Sequence, residues 1–393
     1  MRILYYDWDE FNGEDCRDAM RRLGHQVDVV KLDLKGYDVT PFMEASLKTF
    51  LDKKENGRRY YDLMFSFDYY PNFSEVCNKY SVPYISWVFD CPHYTLDSST
   101  TNNSNNRIFV FDKMLHEYMR EKGINTINYS PLGVNEKRLS DLCNKIDAEN
   151  NGQIIYKHDV CFLGSLYDNE YNFYDQVRYL PPDLKEYIDI VIKMQEKVFG
   201  QDLFTDEKVI TDAHIDNLLK YISFEKDPKD QMDYRRVIRD ILRKKVTVNE
   251  RRNILTQMGR YFNTVLYTMP GSKPIDNVQN LGQAEYLEQM PRVFRSSKVN
   301  LNITLRSILS GVPLRVLDIM AAGGFVITDY HKEITEYFED GKDLVIAYTP
   351  EDMIEKTAYY LEHDKERMDI AQKGREKVYE KFSYMKLLSG ILG

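Results

Sequence analysis

Over the first 130 residues, short apolar runs alternate with stretches of helical spacing. Residues 1–7, 26–31, 63–67, 84–89, 107–111 and 126–129 are largely apolar and short, the pattern of parallel strands buried on both faces. Residues 13–23, 41–55, about 71–80 and 114–122 read as helices between them, the first stopped by Gly24. Such alternation predicts a doubly wound α/β domain. A second series begins at residue 160. Runs at 160–165, 264–268, 298–304, 325–329 and 344–348 predict five more strands, with two amphipathic helices at 351–363 and 365–382 closing the series. Residues 171–261 are helical and charged, with no good strand, and read as a helical insertion in this second domain. The polar stretch 141–158, centred on Asn150-Asn151-Gly152, reads as a linker. The expected layout is therefore a domain over 1–140, a second over 159–380, and a tail over 381–393.

The stretch 313–329 carries the most local information. Pro313 suits the start of a helix, Gly323 and Gly324 its end, and Phe325 to Thr328 a buried strand closed by Asp329. The helix is apolar on nearly every side, so it should be buried. Its only ionised groups, Arg315 and Asp318, stand three apart and share one edge. Arg before Asp opposes the helix dipole, so helix stability does not explain the placement. Two readings remain, an internal salt bridge or an edge that faces a polar ligand. In the second, Arg315 and the helix N-terminus would attract phosphate, and the carboxylate would hold sugar hydroxyls.

Composition narrows the class. At 393 residues, with 29% charged and 43% hydrophobic residues, the chain is globular and long enough for two domains. A formal net charge of −9 argues against broad binding to nucleic acid. No run has the apolar length of a membrane span, and the acidic start lacks a cleavable signal pattern. Five scattered cysteines without a Cys-x-x-Cys pair fit reduced thiols, so a cytoplasmic protein is expected. Residues 235–252 hold eight lysines and arginines against Asp240 and Glu250. They read as a solvated face or, in the alternative, as a docking surface for an acidic acceptor or membrane headgroups.

Candidate chemistry sits where strands end. Asp90 and His93 follow the 84–89 run, with Pro92 forcing a turn. An acid and a histidine outside the carboxyl end of a strand suit general acid/base work; the plainer reading is that Asp90 caps turn amides. Asp7-Trp8-Asp9 matches an Asp-x-Asp metal pattern, but no other ligand cluster supports it, so no metal is expected. Gly164 and Ser165, at the end of the second domain's first strand, would allow close backbone approach to a ligand.

Several motifs of the second half run in a familiar order: Gly282-x₃-Tyr286, Met290-Pro291, the 297–302 run Ser-Lys-Val-Asn-Leu-Asn, Arg315-Val316-Leu317-Asp318-Ile319, Gly323-Gly324-Phe325, Thr328-Asp329 and Gly341-Lys342. This half resembles the glycosyl-transferase-group-1 type domain of CgeB-like proteins. The first half, with Phe65-Ser66-Phe67 and Trp87-x-x-Asp90-x-Pro92, is similar to the N-terminal domain that accompanies it. The resemblance implies an α/β fold of GT-B type, two Rossmann-like domains facing across a cleft, and a glycosyltransferase that needs no metal or cofactor. The nucleotide-diphosphate sugar would be the co-substrate and a glycan, protein or small molecule the acceptor. It also implies roles. Asp318 would hold the nucleotide ribose, Arg306 and Arg315 the diphosphate together with the helix N-terminus near Gly311, and Gly282 and Tyr286 would lie near the base. The chain departs from its Glu-x₇-Glu relatives at the first glutamate position, which is Ser310. Two alternatives share the architecture, a sugar-nucleotide epimerase or hydrolase, and a non-catalytic subunit that binds sugar nucleotide or glycan.

Overall fold

The computed structural model describes residues 1–393 apart from 171, 223 and 225–231, which fall in the stretch expected to form the insertion. The chain divides into two compact units, the first built on Met1–Asn135 and Phe382–Gly393, the second on Glu136–Glu225 and Asp233–Lys381.

The first unit runs β1 (Arg2–Tyr6), α1 (Gly13–Arg22), β2 (Gln26–Val30), α2 (Pro41–Leu51), a small hairpin β3 (Lys54–Glu55) and β4 (Arg58–Arg59), β5 (Leu63–Phe67), α3 (Pro71–Lys79), β6 (Tyr84–Val88), β7 (Asn106–Val110), α4 (Lys113–Glu121) and β8 (Ile127–Tyr129). Its main sheet is parallel, in the order β2-β1-β5-β6-β7-β8. All five residues of β5 and of β6 are buried, as expected of strands covered on both faces. The hydroxyl of Ser66 in β5 is tolerated because it donates to Asp68 O at 2.8 Å and lies 2.7 Å from the Tyr84 hydroxyl. The hairpin was not expected: its strands have two residues each, all exposed, and so leave no apolar pattern.

The second unit runs α5 (Glu136–Glu149), β9 (His158–Leu163), α6 (Pro182–Gln195), α7 (Asp212–Leu218), α8 (Tyr234–Tyr261), β10 (Thr264–Tyr267), β11 (Val278–Asn280), α9 (Gln289–Arg295), β12 (Ser297–Asn302), α10 (Leu314–Ala321), β13 (Val326–Asp329), α11 (Lys332–Tyr337), β14 (Val345–Ala347), α12 (Pro350–Glu362) and α13 (Asp364–Lys381). Its sheet is also parallel, in the order β11-β10-β9-β12-β13-β14. The unexpected strand is β11, an edge strand of three residues of which two are exposed. Pro313 caps α10 instead of opening it. At the other end Gly323, at φ +73°, and Gly324 return their N–H groups to Met320 O and Ile319 O, both at 2.9 Å. A Cβ on Gly324 would meet Phe294 O at 2.9 Å, so the helix-to-strand turn needs glycine for space as well.

Three expectations about layout are corrected. The linker 141–158 is half helix. Leu139, Leu142, Cys143 and Ile146 form a buried stripe along α5, and the polar composition belongs to its other face. The division falls between Asn135 and Glu136. The tail 381–393 is a structural part of the first unit. Val134 N donates to Phe382 O and Tyr384 N to Val134 O, both at 2.9 Å. The helix α14 (Tyr384–Leu392) buries Leu388, Ile391 and Leu392, and the Tyr384 ring packs edge-on against Trp87 at 5.6 Å. The insertion is helical among the described residues; Arg235 keeps a side chain 43% exposed, while Arg243 and Arg251 are buried, and most of its cations are paired with acids of the chain. Arg239 donates to Asp212 at 2.8 Å, Arg243 to Asp240 at 2.8 Å, Lys245 to Asp175 at 2.8 Å and Arg252 to Asp168 at 2.6 Å, while Arg235 forks onto Asp216. Apart from Asp240, the matching acids lie between Asp168 and Asp216, before α8, which a count restricted to α8 could not reveal. Among the described residues no helix is long and apolar enough to cross a membrane.

Candidate functional site

In the first unit the carboxyl ends of β5 and β6 bring Asp68, Asp90 and His93 together, with one ligand atom of each within 4.8 Å of the others. Asp68 is buried and follows β5 in a left-handed conformation, φ +56°, which aspartate adopts more readily than most residues. Its Oδ1 accepts the Phe89 and Asp90 amides at 3.1 and 3.2 Å. Asp68 is therefore the cap of this turn. Asp90, proposed by its position as either cap or base, accepts no backbone amide among the described residues and is open to solvent. Burial pushes the Asp68 carboxyl up to about 7 against the two amides it accepts. Desolvation, and next the charge of Asp68, push Asp90 up to about 6, with His93 opposing. Asp90 itself is exposed, so the charge of the buried Asp68 beside it is the firmer cause. Both carboxyls are therefore raised toward neutrality, and the charge on either resists ionisation of the other. His93 takes the Tyr69 amide on Nε2 at 3.1 Å, and its Nδ1 lies 4.0 Å from Asp68 Oδ1.

The Asp-x-Asp pattern is engaged by cations of the chain. Arg17 donates to Asp7 Oδ2 at 2.8 Å, and Lys31 pairs with Asp9.

In the second unit α10 presents Arg315 and Asp318 on one edge, as their spacing predicts. Arg315 Nη1 donates to Asp318 Oδ2 at 3.3 Å, and the Tyr286 hydroxyl donates to Asp318 Oδ1 at 3.0 Å. The salt bridge thus exists, but it is long and leaves Arg315 a quarter exposed. Tyr286, Arg315 and Asp318 are brought together. Gly282 sits at φ +81° in an open turn, its N–H donating to Asn280 Oδ1 at 2.9 Å. No side chain caps the N-terminus of α10. Just before it, Ser310 O accepts the Glu333 amide at 3.1 Å, and Ser310 Oγ donates to Glu333 Oε1 at 2.7 Å. The loop carrying Ser310 and Gly311 is therefore tied to the start of α11. At the end of β9, Ser165 Oγ accepts the Tyr167 amide at 3.1 Å, and a Cβ on Gly164 would meet the Phe162 ring at 3.3 Å.

Arg306 differs from its expected role. Its Nε donates to Glu250 Oε2 at 2.9 Å, Nη2 donates to the same carboxylate and to Val198 O, and the guanidinium lies over the Phe199 ring. Glu250 raises it above its ordinary range despite burial. A cation neutralised this way has little left for a diphosphate.

Sequence reasoning missed Asp68, Glu250 and Glu333. A signal existed for Asp68: the 63–67 run ends on an acid, as the 84–89 run does, and Asp68 N donates to Trp87 O across the neighbouring strand.

With this geometry in hand, comparison with known proteins places the architecture. Residues 243–393 match a family model described as Glycosyl transferase-like. No curated protein matches the chain. Among solved structures, Anabaena Alr3699/HepE in complex with UDP-glucose is similar at TM-score 0.54 and 11% identity, over 100% of this chain and 98% of that one. AviGT4, a glycosyltransferase involved in avilamycin A biosynthesis, is similar at TM-score 0.51 and 9% identity, over 100% and 96%. A glycosyltransferase from Rickettsia africae ESF-5 reaches TM-score 0.50 and 11% identity, over 100% and 96%. The chain has the GT-B fold, two Rossmann-like α/β domains each built on a parallel sheet.

Proposed function

We propose that the protein is a glycosyltransferase of CgeB-like type, acting in the cytoplasm, that moves a sugar from a nucleotide-diphosphate donor to a glycan, protein or small-molecule acceptor. The observation that carries this reading is the edge of α10. There a carboxylate steadied by a tyrosine hydroxyl stands beside a partly exposed arginine, within the residues matched by the Glycosyl transferase-like model. A carboxylate accepts from ribose hydroxyls, and an arginine at a helix start favours phosphate. The donor class draws support from the similar structure solved with UDP-glucose.

In the inverting mode, the acceptor oxygen attacks the anomeric carbon as the bond from that carbon to the diphosphate breaks. The acceptor's proton passes to Asp90, and Arg315 with the α10 amides stabilises the charge on the leaving diphosphate. Asp68 and His93 position Asp90. A carboxyl raised to about 6 is a stronger base than an ordinary aspartate and is still largely ionised above neutrality. The reading includes independence of metal, supported by the engagement of Asp7 and Asp9 with Arg17 and Lys31.

The test is incubation with a panel of labelled nucleotide sugars, UDP-glucose first, with and without cell-envelope and small-molecule acceptors. Acceptor-dependent release of nucleoside diphosphate together with labelled product is expected. Release without acceptor at the same rate would mean hydrolysis, and binding without release a non-catalytic subunit.

A further inference from the structure

The sheet of the second unit reverses its winding between β9 and β12, with β10 and β11 laid to one side and β13 and β14 to the other. In open α/β sheets, ligands bind outside the carboxyl ends of the strands at such a reversal. Arg251, reaching from α8, spans it. Its Nη1 donates to Ser165 O beyond β9 at 2.5 Å, and its Nε and Nη2 donate to Ile303 O beyond β12 at 3.0 and 2.6 Å. The guanidinium packs over the rings of Phe162 and Tyr167 and is 8% exposed.

Among the described residues this cation has no counter-ion. The other buried arginines have one: Arg243 has Asp202 and Asp240, Arg306 has Glu250, and Arg367 has Asp364. No carboxylate among the described residues forms an ion pair with Arg251. The acids in its field are committed elsewhere. Glu250 is forked onto Arg306, and Asp329 accepts the Thr304 amide at 3.0 Å and lies 3.4 Å from His331 Nε2. The two carbonyls accept three of its five N–H groups without neutralising its charge. Burial accordingly pulls Arg251 below the ordinary arginine range, whereas Arg243 and Arg306 are raised by their partners. A buried, uncompensated charge is costly, and an arriving anion relieves the cost. A Cβ on Gly164 would meet the Phe162 ring at 3.3 Å and lie 4.0 Å from Arg251 Nη1, so the ring and the guanidinium both close on this glycine.

We propose that Arg251 gives the nucleotide site of the second unit its preference for a diphosphate, holding the two strand ends at the reversal together while supplying the positive charge; this rests on the donor reading above. From the sequence alone Arg251 belongs to a solvated face or docking surface, and Arg306 and Arg315 to the diphosphate.

The full chain and its Arg251→Gln and Arg251→Lys variants would be titrated calorimetrically with UDP and, by competition, with uridine. Glutamine keeps an N–H donor but loses the charge. Arg251→Gln is expected to lose about tenfold or more in UDP affinity while uridine affinity stays within about twofold, and Arg251→Lys to keep most of the preference for UDP. Equal weakening toward both ligands, or an unchanged preference in Arg251→Gln, would overturn the role of Arg251 and leave the donor reading standing. A wild-type chain that binds none of UDP, GDP and ADP would overturn both. If Arg251→Gln does not fold, Arg251→Lys decides: a kept preference for UDP supports the charge, and equal loss toward UDP and uridine reduces Arg251 to a tie between strands.

Discussion

Both units wind six parallel strands with a single reversal, between β1 and β5 in the first and between β9 and β12 in the second. At the carboxyl ends they treat charge in opposite ways. The first unit crowds two carboxyls against each other and a histidine, so that ionisation is resisted and a proton is readily held. The second unit fills the corresponding region with guanidinium groups, one neutralised by Glu250, one loosely paired with Asp318, and one left to carbonyls. One backbone plan can thus be turned toward taking up protons or toward holding anions by the side chains at its strand ends. In the proposed reaction these are the two needs, an acceptor proton to remove and a diphosphate to stabilise.

The sharpest way to break this contrast is at Asp90. Asp90→Asn is expected to cut turnover by roughly 10²–10⁴ while leaving UDP affinity within about a factor of two. Steady-state kinetics beside titration would check this, and a folded variant with normal turnover would remove the base role. For the wild type, turnover should rise with pH through the region near 6 as Asp90 loses its proton. That limb should vanish in the variant.

The next effect concerns the neutralised arginine. Glu250→Gln strands the Arg306 charge inside the protein and should destabilise the second unit by about 3–5 kcal/mol. Denaturant unfolding would measure it, and a loss under about 1 kcal/mol would mean that Arg306 finds water or another partner.

Arg315→Ala should weaken UDP binding by roughly 1.5–3 kcal/mol and uridine binding much less. An equal change in both would return Arg315 to a plain salt-bridge role.

A smaller effect follows from Asp68. Its folded-state pKa is raised, so the stability linked to its proton is present in acid and lost as pH rises through about 7. The first unit should therefore be less stable at pH 8 than at pH 5, and Asp68→Asn should flatten that slope in thermal scans. A wild-type scan with no such slope would contradict the raised value.

The smallest expected effect is none: transfer should persist in excess chelator. Activity that disappears and returns with manganese or magnesium would give the acids of the first unit a metal to hold.

Much of the fold was legible because its strands are buried on both faces and so leave continuous apolar runs, as at Leu63–Phe67 and Tyr84–Val88. What escaped lacked that signature. The edge strand β11 and the hairpin β3–β4 bury almost nothing, and α5 carries a polar face that resembles a linker in composition. The site was legible where it depends on position along one element. Arg315 and Asp318 share an edge because three residues separate them, and Asp90 stands where a strand ends. It was illegible where it depends on which elements meet. No local pattern tells that Arg306 will find Glu250, 56 residues earlier in the chain, or that Asp68 will stand beside Asp90. Arg251 did leave a trace: it lies in line with Thr247, Ile254 and Met258, all buried, at helical spacing along α8.

The return of residues 382–393 to the first unit has a consequence for how the molecule is made. A ribosome releases Met1–Asn135 long before it reaches Phe382, and until then the Trp87 ring and the Val134 backbone await partners made last. The unit begun first is the one finished last. Its completion is timed by the synthesis of everything in between, so a nascent chain halted inside the second unit carries an open seam for chaperones and proteases to find.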